Sequence, residues 1–341
     1  MEYLIEFGLF FGKLILVFLF FAGLIVLIAG MIIKQKHKPE IEVESINNKL
    51  LDLEDIIQSA VLDKDELKTF HKDQKENEKK RNKKDSSKNK KRRVYVLKFD
   101  GDIHAKSVDE LRDEVTAVLT VAKPGDESVI LIESPGGTVH GYGLAAAQLL
   151  RLKKAGILVT ACVDKVAASG GYMMACTADK IISAPFAIVG SIGVIAQVPN
   201  FNRLLKKNDV DYEEISSGEY KRTVSLLGEI TEKGRAKFLE QIVDTHALFK
   251  DFVASKRNNL DMSKVATGEY WYGIRAKELN LVDDIMTSDE YLYAMRKDAD
   301  IYSIKIHPKK KFSDKISEIF GKSSDHILNR IVDKINERPL L

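Results

Sequence analysis

The chain has 341 residues, 45% of them hydrophobic and 30% charged, with a formal net charge of +3. That length holds one large domain or two smaller ones, and the apolar content is ample for a core. The charge is local: His71 to Arg93 carries 12 Lys and Arg against 4 Asp and Glu, leaving the remainder near −5, so the basicity gives no argument for a nucleic-acid partner. Cys162 and Cys176 are the only cysteines. They fall in apolar stretches without partners at metal-ligand spacing, so neither a disulfide framework nor a zinc site is indicated and two small buried residues are predicted.

Leu14 to Ile33 is a run of 20 apolar residues without a charge. Twenty helical residues reach about 30 Å, the thickness of a bilayer core. The run is longer than a signal-peptide core and has no clear small-residue cleavage site, so a retained single-pass anchor in the lipid bilayer is expected. Lys34, Lys36 and Lys38 follow the span, and the positive-inside rule would place the rest of the chain in the cytoplasm. That rule weakens when a long domain follows.

Ile46, Leu50, Leu53, Ile57, Ala60 and Leu67 recur mostly at three- and four-residue spacing, which predicts an amphipathic helix over 47–69. The lysine-rich stretch 71–93 lacks Phe, Tyr and Trp and reads as a disordered linker, with attraction to anionic lipid as the functional alternative.

Folded structure is expected from Val94. Val94–Phe99 reads as a strand, and Ser107-Val108-Asp109-Glu110 as a capping box opening a helix. Val129–Ile132 reads as a buried strand ending at Ser134-Pro135-Gly136-Gly137. A helix over 139–154, a strand over 157–163, a helix over 172–178 and a strand over 180–183 follow. Strands alternating with helices predict βαβ units and a largely parallel α/β sheet, with ligands beyond the carboxyl ends of its strands. A long amphipathic helix is expected over 230–256, a short helix over 274–279 and a strand over 282–286. Trp271 and its tyrosine neighbours read as packing or subunit contact. From Ala299 the tail is polar and basic, with a weak amphipathic helix suggested by Ile316, Phe320, Ile327, Ile331 and Ile335. The expected organisation is an anchor (1–33), an amphipathic helix and basic linker (34–93), a folded domain (94–298) and a basic tail (299–341).

Ser169 carries the chemistry. It stands at a strand-to-helix turn and is followed by two glycines, where helix-start N–H groups can receive a negative oxygen. A serine hydroxyl needs a base, and no histidine lies between Gly141 and Thr245. His140 and His246 read as groove-lining and structural residues, respectively. Lys221, in Gly218-Glu219-Tyr220-Lys221-Arg222, is the candidate base. An ordinary lysine has a pKa of about 10.4, so its use near neutrality requires a bias of about 4 kcal/mol against the ammonium. Burial and nearby positive charge act in that direction. No phosphate loop, dinucleotide fingerprint or metal motif appears, and no cofactor is expected.

Four motifs in order, Ser134-Pro135-Gly136-Gly137, Ala168-Ser169-Gly170-Gly171-Tyr172, Val189-Gly190-Ser191-Ile192-Gly193-Val194 and Tyr220-Lys221-Arg222, resemble the signal peptide peptidase A family of bacterial membrane serine proteases. The resemblance runs from the apolar amino terminus through Val282-Asp283-Asp284. It implies a Clp/crotonase-like superhelical βαβ core. It also implies Ser169 as nucleophile, Lys221 as general base and Ser191 as the helper hydroxyl that orients the lysine. The N–H groups of Gly136, Gly137 and Gly170 would form the oxyanion hole. Peptide or unfolded-protein substrates, signal-peptide remnants among them, and a homo-oligomer that shares the dyad between subunits are implied as well, as is an inner-membrane location with the protease domain on the periplasmic side. Two other classes stand beside this reading: a crotonase-like acyl-CoA enzyme with an incidental serine, and a catalytically silent membrane scaffold.

Overall fold

Apolar strands from the middle of the chain form the centre of a mostly parallel sheet. The computed structural model describes residues 2–34, 40–85 and 91–307. They fall into two units: one holds the amino-terminal helix, and the other is the folded body from Ile41 to Ile306.

The first unit contains α1 (Glu2–Lys34). Within it, Phe7–Leu24 is long and apolar enough to cross a membrane, and its side chains are exposed to surroundings that in water would be unfavourable.

The body opens with β1 (Glu40–Ser45), α2 (Ile46–Val61) and α3 (Lys64–Asp85). The single helix expected over 47–69 is thus two helices broken at Leu62 and Asp63. Asp63 accepts the N–H groups of Asp65 and Glu66 and so starts a new helix. His71 on α3 reaches Asp55 on α2 at 2.9 Å, so the two helices fold back on one another. The lysine-rich stretch is helical as far as Asp85, where a disordered linker was expected. Its residues have ordinary helix propensity, and low apolar content bars a core but not a solvated helix.

Next come β2 (Arg92–Asp100), α4 (Val108–Val121), β3 (Glu127–Glu133), α5 (Val139–Lys154), β4 (Leu158–Val163), β5 (Val166–Ala168), α6 (Gly170–Ala175), β6 (Lys180–Ser183) and β7 (Ile188–Gly190). The remainder is α7 (Asn202–Lys207), α8 (Glu232–Lys256), α9 (Met262–Val265), β8 (Tyr270–Tyr272), α10 (Gly273–Glu278), β9 (Asp284–Ile285), α11 (Ser288–Met295) and β10 (Ala299–His307). A seven-stranded sheet runs in the order β1-β10-β2-β3-β4-β6-β9, and its pairs from β10 to β9 are all parallel. A second sheet of β5, β7 and β8 stands beside it, with β5–β7 parallel and β7–β8 antiparallel. The mostly parallel α/β architecture is as expected from the alternation of elements.

Two local expectations change. Ser107 makes no side-chain cap; its hydroxyl donates to the Asp100 carbonyl at 2.6 Å, tying the loop after β2 to the start of α4. Residues 299–307 form β10, which lies beside β2 in the sheet, so the folded body continues past 298. Asn47 on α2 holds this strand, donating to the carbonyls of Arg296 and Ala299 and accepting the Ile301 N–H at 2.7 Å. The helix suggested over 316–335 lies outside the described residues.

The core packs α4 and α5 on one face of the large sheet. Leu97, Phe99, Leu111, Val115, Ile130, Leu149 and Leu152 are almost fully buried there. Each such side chain contributes about 1.5–3 kcal/mol by leaving water. Cys162 and Cys176 are buried and unpaired, and burial pushes both thiols up, Cys176 to about 12.

Candidate active site

The carboxyl ends of β3, β5 and β7 meet at one place. Ser134, just past β3, bridges to β5: its N–H donates to the Val166 carbonyl at 2.8 Å, and its carbonyl accepts the Ala168 N–H at 3.0 Å. β5 in turn pairs with β7, Ala168 opposite Gly190. The chain then turns into α6 at Ser169, which is half-buried. Its backbone has φ 51° and ψ −116°, a conformation that costs a non-glycine residue of order 1–3 kcal/mol. The turn is held by the Ser169 N–H donating to the Gly190 carbonyl at 2.8 Å.

Glycine is required around this turn. A Cβ on Gly136 would lie 2.7 Å from the Ser169 Cβ and 2.8 Å from the Gly170 nitrogen, and Gly136 has φ +91°. The glycine loop after β3 is therefore in van der Waals contact with the serine turn. A Cβ on Gly137 would collide with the Ile103 carbonyl, and one on Gly170 with the ring of Tyr142. The three glycines differ in what their N–H groups do. Gly136 is buried and donates to Ser134 Oγ at 3.1 Å. Among the described residues the N–H groups of Gly137 and Gly170 have no acceptor. Gly170 is the first residue of α6, where N–H groups lack intrahelical partners.

Ser191 follows β7 as Ser169 follows β5, again with φ 51°. Its N–H donates to the Glu269 carbonyl at 2.7 Å and its hydroxyl to the Gly268 carbonyl at 3.3 Å. Trp271 packs under Gly190, where a Cβ would come within 2.9 Å of its ring. His246 on α8, expected to be structural, lies 3.2 Å from the Ile192 carbonyl and so tethers the segment just after Ser191. His140 is exposed at the start of α5.

Lys221 stands apart in character. It is exposed on a turn closed by its own N–H donating to the Gly218 carbonyl at 3.1 Å. A lysine held near neutral pH in its uncharged form needs desolvation, and a single chain does not bury it. Among the described residues no carboxylate pairs with Lys221. Other cations take the nearby acids: Arg222 pairs with Glu214 at 3.4 Å, and Lys233, on α8, pairs with Glu219. Arg222 is thus directed at a carboxylate. Lys221 lies in the irregular segment 208–231. Ile195, Leu204 and Ile215, on that segment and just before it, are exposed.

Ser134 and Tyr142 received no role from the sequence. The signal was partial, since Ser134 opens the glycine motif, but the contact that gives each its place spans eight residues and requires the fold.

Two sequence profiles cover most of the chain. Peptidase family S49 N-terminal matches residues 2–149, and Peptidase family S49 matches residues 151–302. A relative in Haemophilus influenzae, described as "Probable protease SohB", is 53% identical over 245 residues, covering 72% of this chain and 69% of its own length. Another of the same description, from Buchnera aphidicola, is 42% identical over 302 residues, covering 86% of this chain and 99% of its own. A solved structure described as a membrane-bound stomatin-specific protease in complex with a substrate peptide aligns with a TM-score of 0.40 at 15% identity, covering 67% of this chain and 98% of that one.

Proposed function

The chain belongs to peptidase family S49 and is a peptidase, and we propose that it is a membrane-anchored serine endopeptidase with Ser169 as nucleophile and Lys221 as general base. The observation that carries this reading is the Ser169 turn itself. A serine in a strained strand-to-helix conformation lies against a glycine loop, with unpaired N–H groups at Gly170 and Gly137. Such strain persists only where the surroundings impose it, and it clusters at functional sites.

The chemistry follows from the groups. Neutral Lys221 removes the Ser169 hydroxyl proton as Oγ attacks a peptide carbonyl. The oxyanion is received by the N–H groups of Gly170 and Gly137, each such donor being worth about 3 kcal/mol. Gly136 contributes the close approach, its own N–H being taken by Ser134. Lys221 then returns the proton to the leaving amine, and water releases the acyl group. Ser191, one strand over from Ser169, supplies a second hydroxyl that holds Lys221 in line.

The exposed position of Lys221 supports a dyad completed in a homo-oligomer. A neighbouring copy seated on the exposed apolar residues around 195–226 would take the lysine out of water. α1 anchors the enzyme in the cell inner membrane, with the protease domain on the periplasmic side. The substrates are extended peptides close to the bilayer, including signal-peptide remnants and unfolded protein segments.

The test is covalent labelling of the detergent-solubilised full chain with a fluorophosphonate, followed by mass mapping. Adduct on Ser169 in wild type, lost in Lys221→Ala, is expected. Labelling elsewhere, or none in a preparation that cleaves unfolded casein, would contradict the assignment.

A further inference from the structure

Below the serine turn lies a run of hydroxyl groups whose proton directions can be worked out. Tyr142 on α5 has no exposed surface, and its hydroxyl is 2.8 Å from the Asp102 carbonyl. A carbonyl only accepts, so the one Tyr142 hydroxyl proton goes to Asp102. Ser134 Oγ is 2.5 Å from the same phenol oxygen. That oxygen has no proton left, so Ser134 is the donor. Ser134 Oγ then uses a lone pair for the Gly136 N–H at 3.1 Å. The chain runs in one direction, from the Gly136 N–H to Ser134, from Ser134 to Tyr142 and from Tyr142 to Asp102. Hydrogen bonds aligned in this way reinforce one another in a low-dielectric interior. Burial also raises the phenol pKa, which keeps its proton in place.

The same tyrosine supports the other side of the site. Its ring lies directly beneath Gly170, leaving no room for a Cβ there, and stacks edge-on against Phe99 with centroids 6.1 Å apart. The loop that supplies the Asp102 carbonyl also supplies the Ile103 carbonyl, which accepts the Thr138 N–H at 2.9 Å and packs against Gly137. One buried side chain therefore braces both the glycine loop and the first residue of α6.

We propose that Ser134 and Tyr142 are positioning residues for the reaction: together they lock the Gly136 peptide so that the Gly137 and Gly170 N–H groups stand preorganised as the oxyanion donors. The proposal rests on the serine-peptidase reading above. Its logic is that Gly136, already bonded to Ser134, is withheld from the oxyanion, while the two unpaired N–H groups are held by the frame on either side. Preorganised donors act in the transition state and add little to substrate binding.

The experiment compares full-length wild type, Tyr142→Phe and Ser134→Ala in detergent. Tyr142→Phe keeps the ring under Gly170 and deletes only the hydroxyl relay; Ser134→Ala removes the acceptor for the Gly136 N–H. Cleavage of a fluorogenic peptide would show kcat lowered at least about 10-fold in both, with KM changed less than about 3-fold, as befits a loss confined to the transition state. Hydrogen exchange of the 134–137 backbone would quicken in both variants, at a melting temperature close to wild type. Unchanged kcat in both variants, or a fall in kcat that only tracks a fall in melting temperature, would overturn the proposal. Failure of the underlying reading looks different: wild-type cleavage would then survive Ser169→Ala, and the positioning role would fall with it even if exchange at Gly136 still quickened.

Discussion

The backbone N–H of Ser169 donates to the carbonyl of Gly190 at 2.8 Å, and this bond sets Ser169 beside Ser191 at the ends of two parallel strands. Both serines have φ 51°, so each leaves its strand through a residue with positive φ. The repetition explains how two serines 22 positions apart in sequence present their hydroxyls from adjacent strand ends.

That relationship gives the first prediction. Ser191→Ala removes the hydroxyl and keeps the strain, while Ser191→Gly removes both. Both variants should lose at least about 10-fold in kcat, as expected when a group assisting the base is deleted. Ser191→Gly should nevertheless be more stable than Ser191→Ala, by about 1 kcal/mol, because glycine accepts positive φ freely. Denaturant melts and peptide cleavage on the two variants check this. Equal stability would show that the turn stores no strain.

Gly136→Ala places a methyl group 2.7 Å from Ser169 Cβ, against backbone that cannot retreat, at a φ of +91°. Stability should fall by about 1–3 kcal/mol, and cleavage by more than about 100-fold. The loss of activity should exceed that seen for Gly125→Ala, where φ is similar but nothing lies within 4 Å of the new methyl.

Glu114 on α4 is buried. One carboxyl oxygen accepts the Ile306 N–H at 3.1 Å; the other has no partner among the described residues. Burial raises its pKa to about 7, with Glu110 adding to the rise and the Ile306 N–H and Lys305 opposing it. The folded state therefore holds a proton that the unfolded chain releases near 4.5. This group's stabilisation is full below pH 4.5 and is lost as pH rises through about 7. Glu114→Gln keeps an acceptor for Ile306 and cannot ionise. It should be more stable than wild type at pH 8, by about 1–3 kcal/mol, and no more stable at pH 4.5. Chemical denaturation across that range decides the matter, and a pH-independent difference would exclude the titration.

Arg257, at the end of α8, grips Asp283 with two hydrogen bonds of 2.9 and 2.7 Å and the Asn280 carbonyl at 3.0 Å. Asp283 also accepts the Ile181 N–H of β6 at 2.7 Å, and the buried Tyr172 of α6 donates to the neighbouring Leu281 carbonyl at 2.8 Å. Arg257→Ala leaves the partly exposed Asp283 carboxylate without its two-bond partner and should destabilise the fold by about 1–2 kcal/mol. Ser169 labelling should survive at temperatures where the variant stays folded, since among the described residues neither Arg257 nor Asp283 has a hydrogen bond to Ser169.

What could be read from the sequence, and what could not, divides along physical lines. The strand at 129–132 is a continuous apolar run, those at 94–99 and 180–183 are rich in β-branched or aromatic residues, and α5 follows its helical periodicity to both ends. The Ser169 turn was legible because a serine followed by two glycines between strand and helix has few other uses. β1, with the sequence EIEVES, and β10 were not, because they alternate polar and apolar residues without clear turn signals and are recognised only by pairing at the sheet edge. Ser107 fits a capping box, but the Asp100 carbonyl competes for its hydroxyl. The roles of Ser134 and Tyr142 depend on oxygen-to-oxygen distances that only the folded chain creates.

The most direct test of the Ser-Lys assignment is cleavage of an unfolded protein substrate by purified wild type, Ser169→Ala and Lys221→Ala, run side by side in detergent with matched assembly states. Cleavage by wild type and loss of at least about 1,000-fold in both variants is the predicted result. Undiminished cleavage by Ser169→Ala, or full activity in Lys221→Ala, would contradict it.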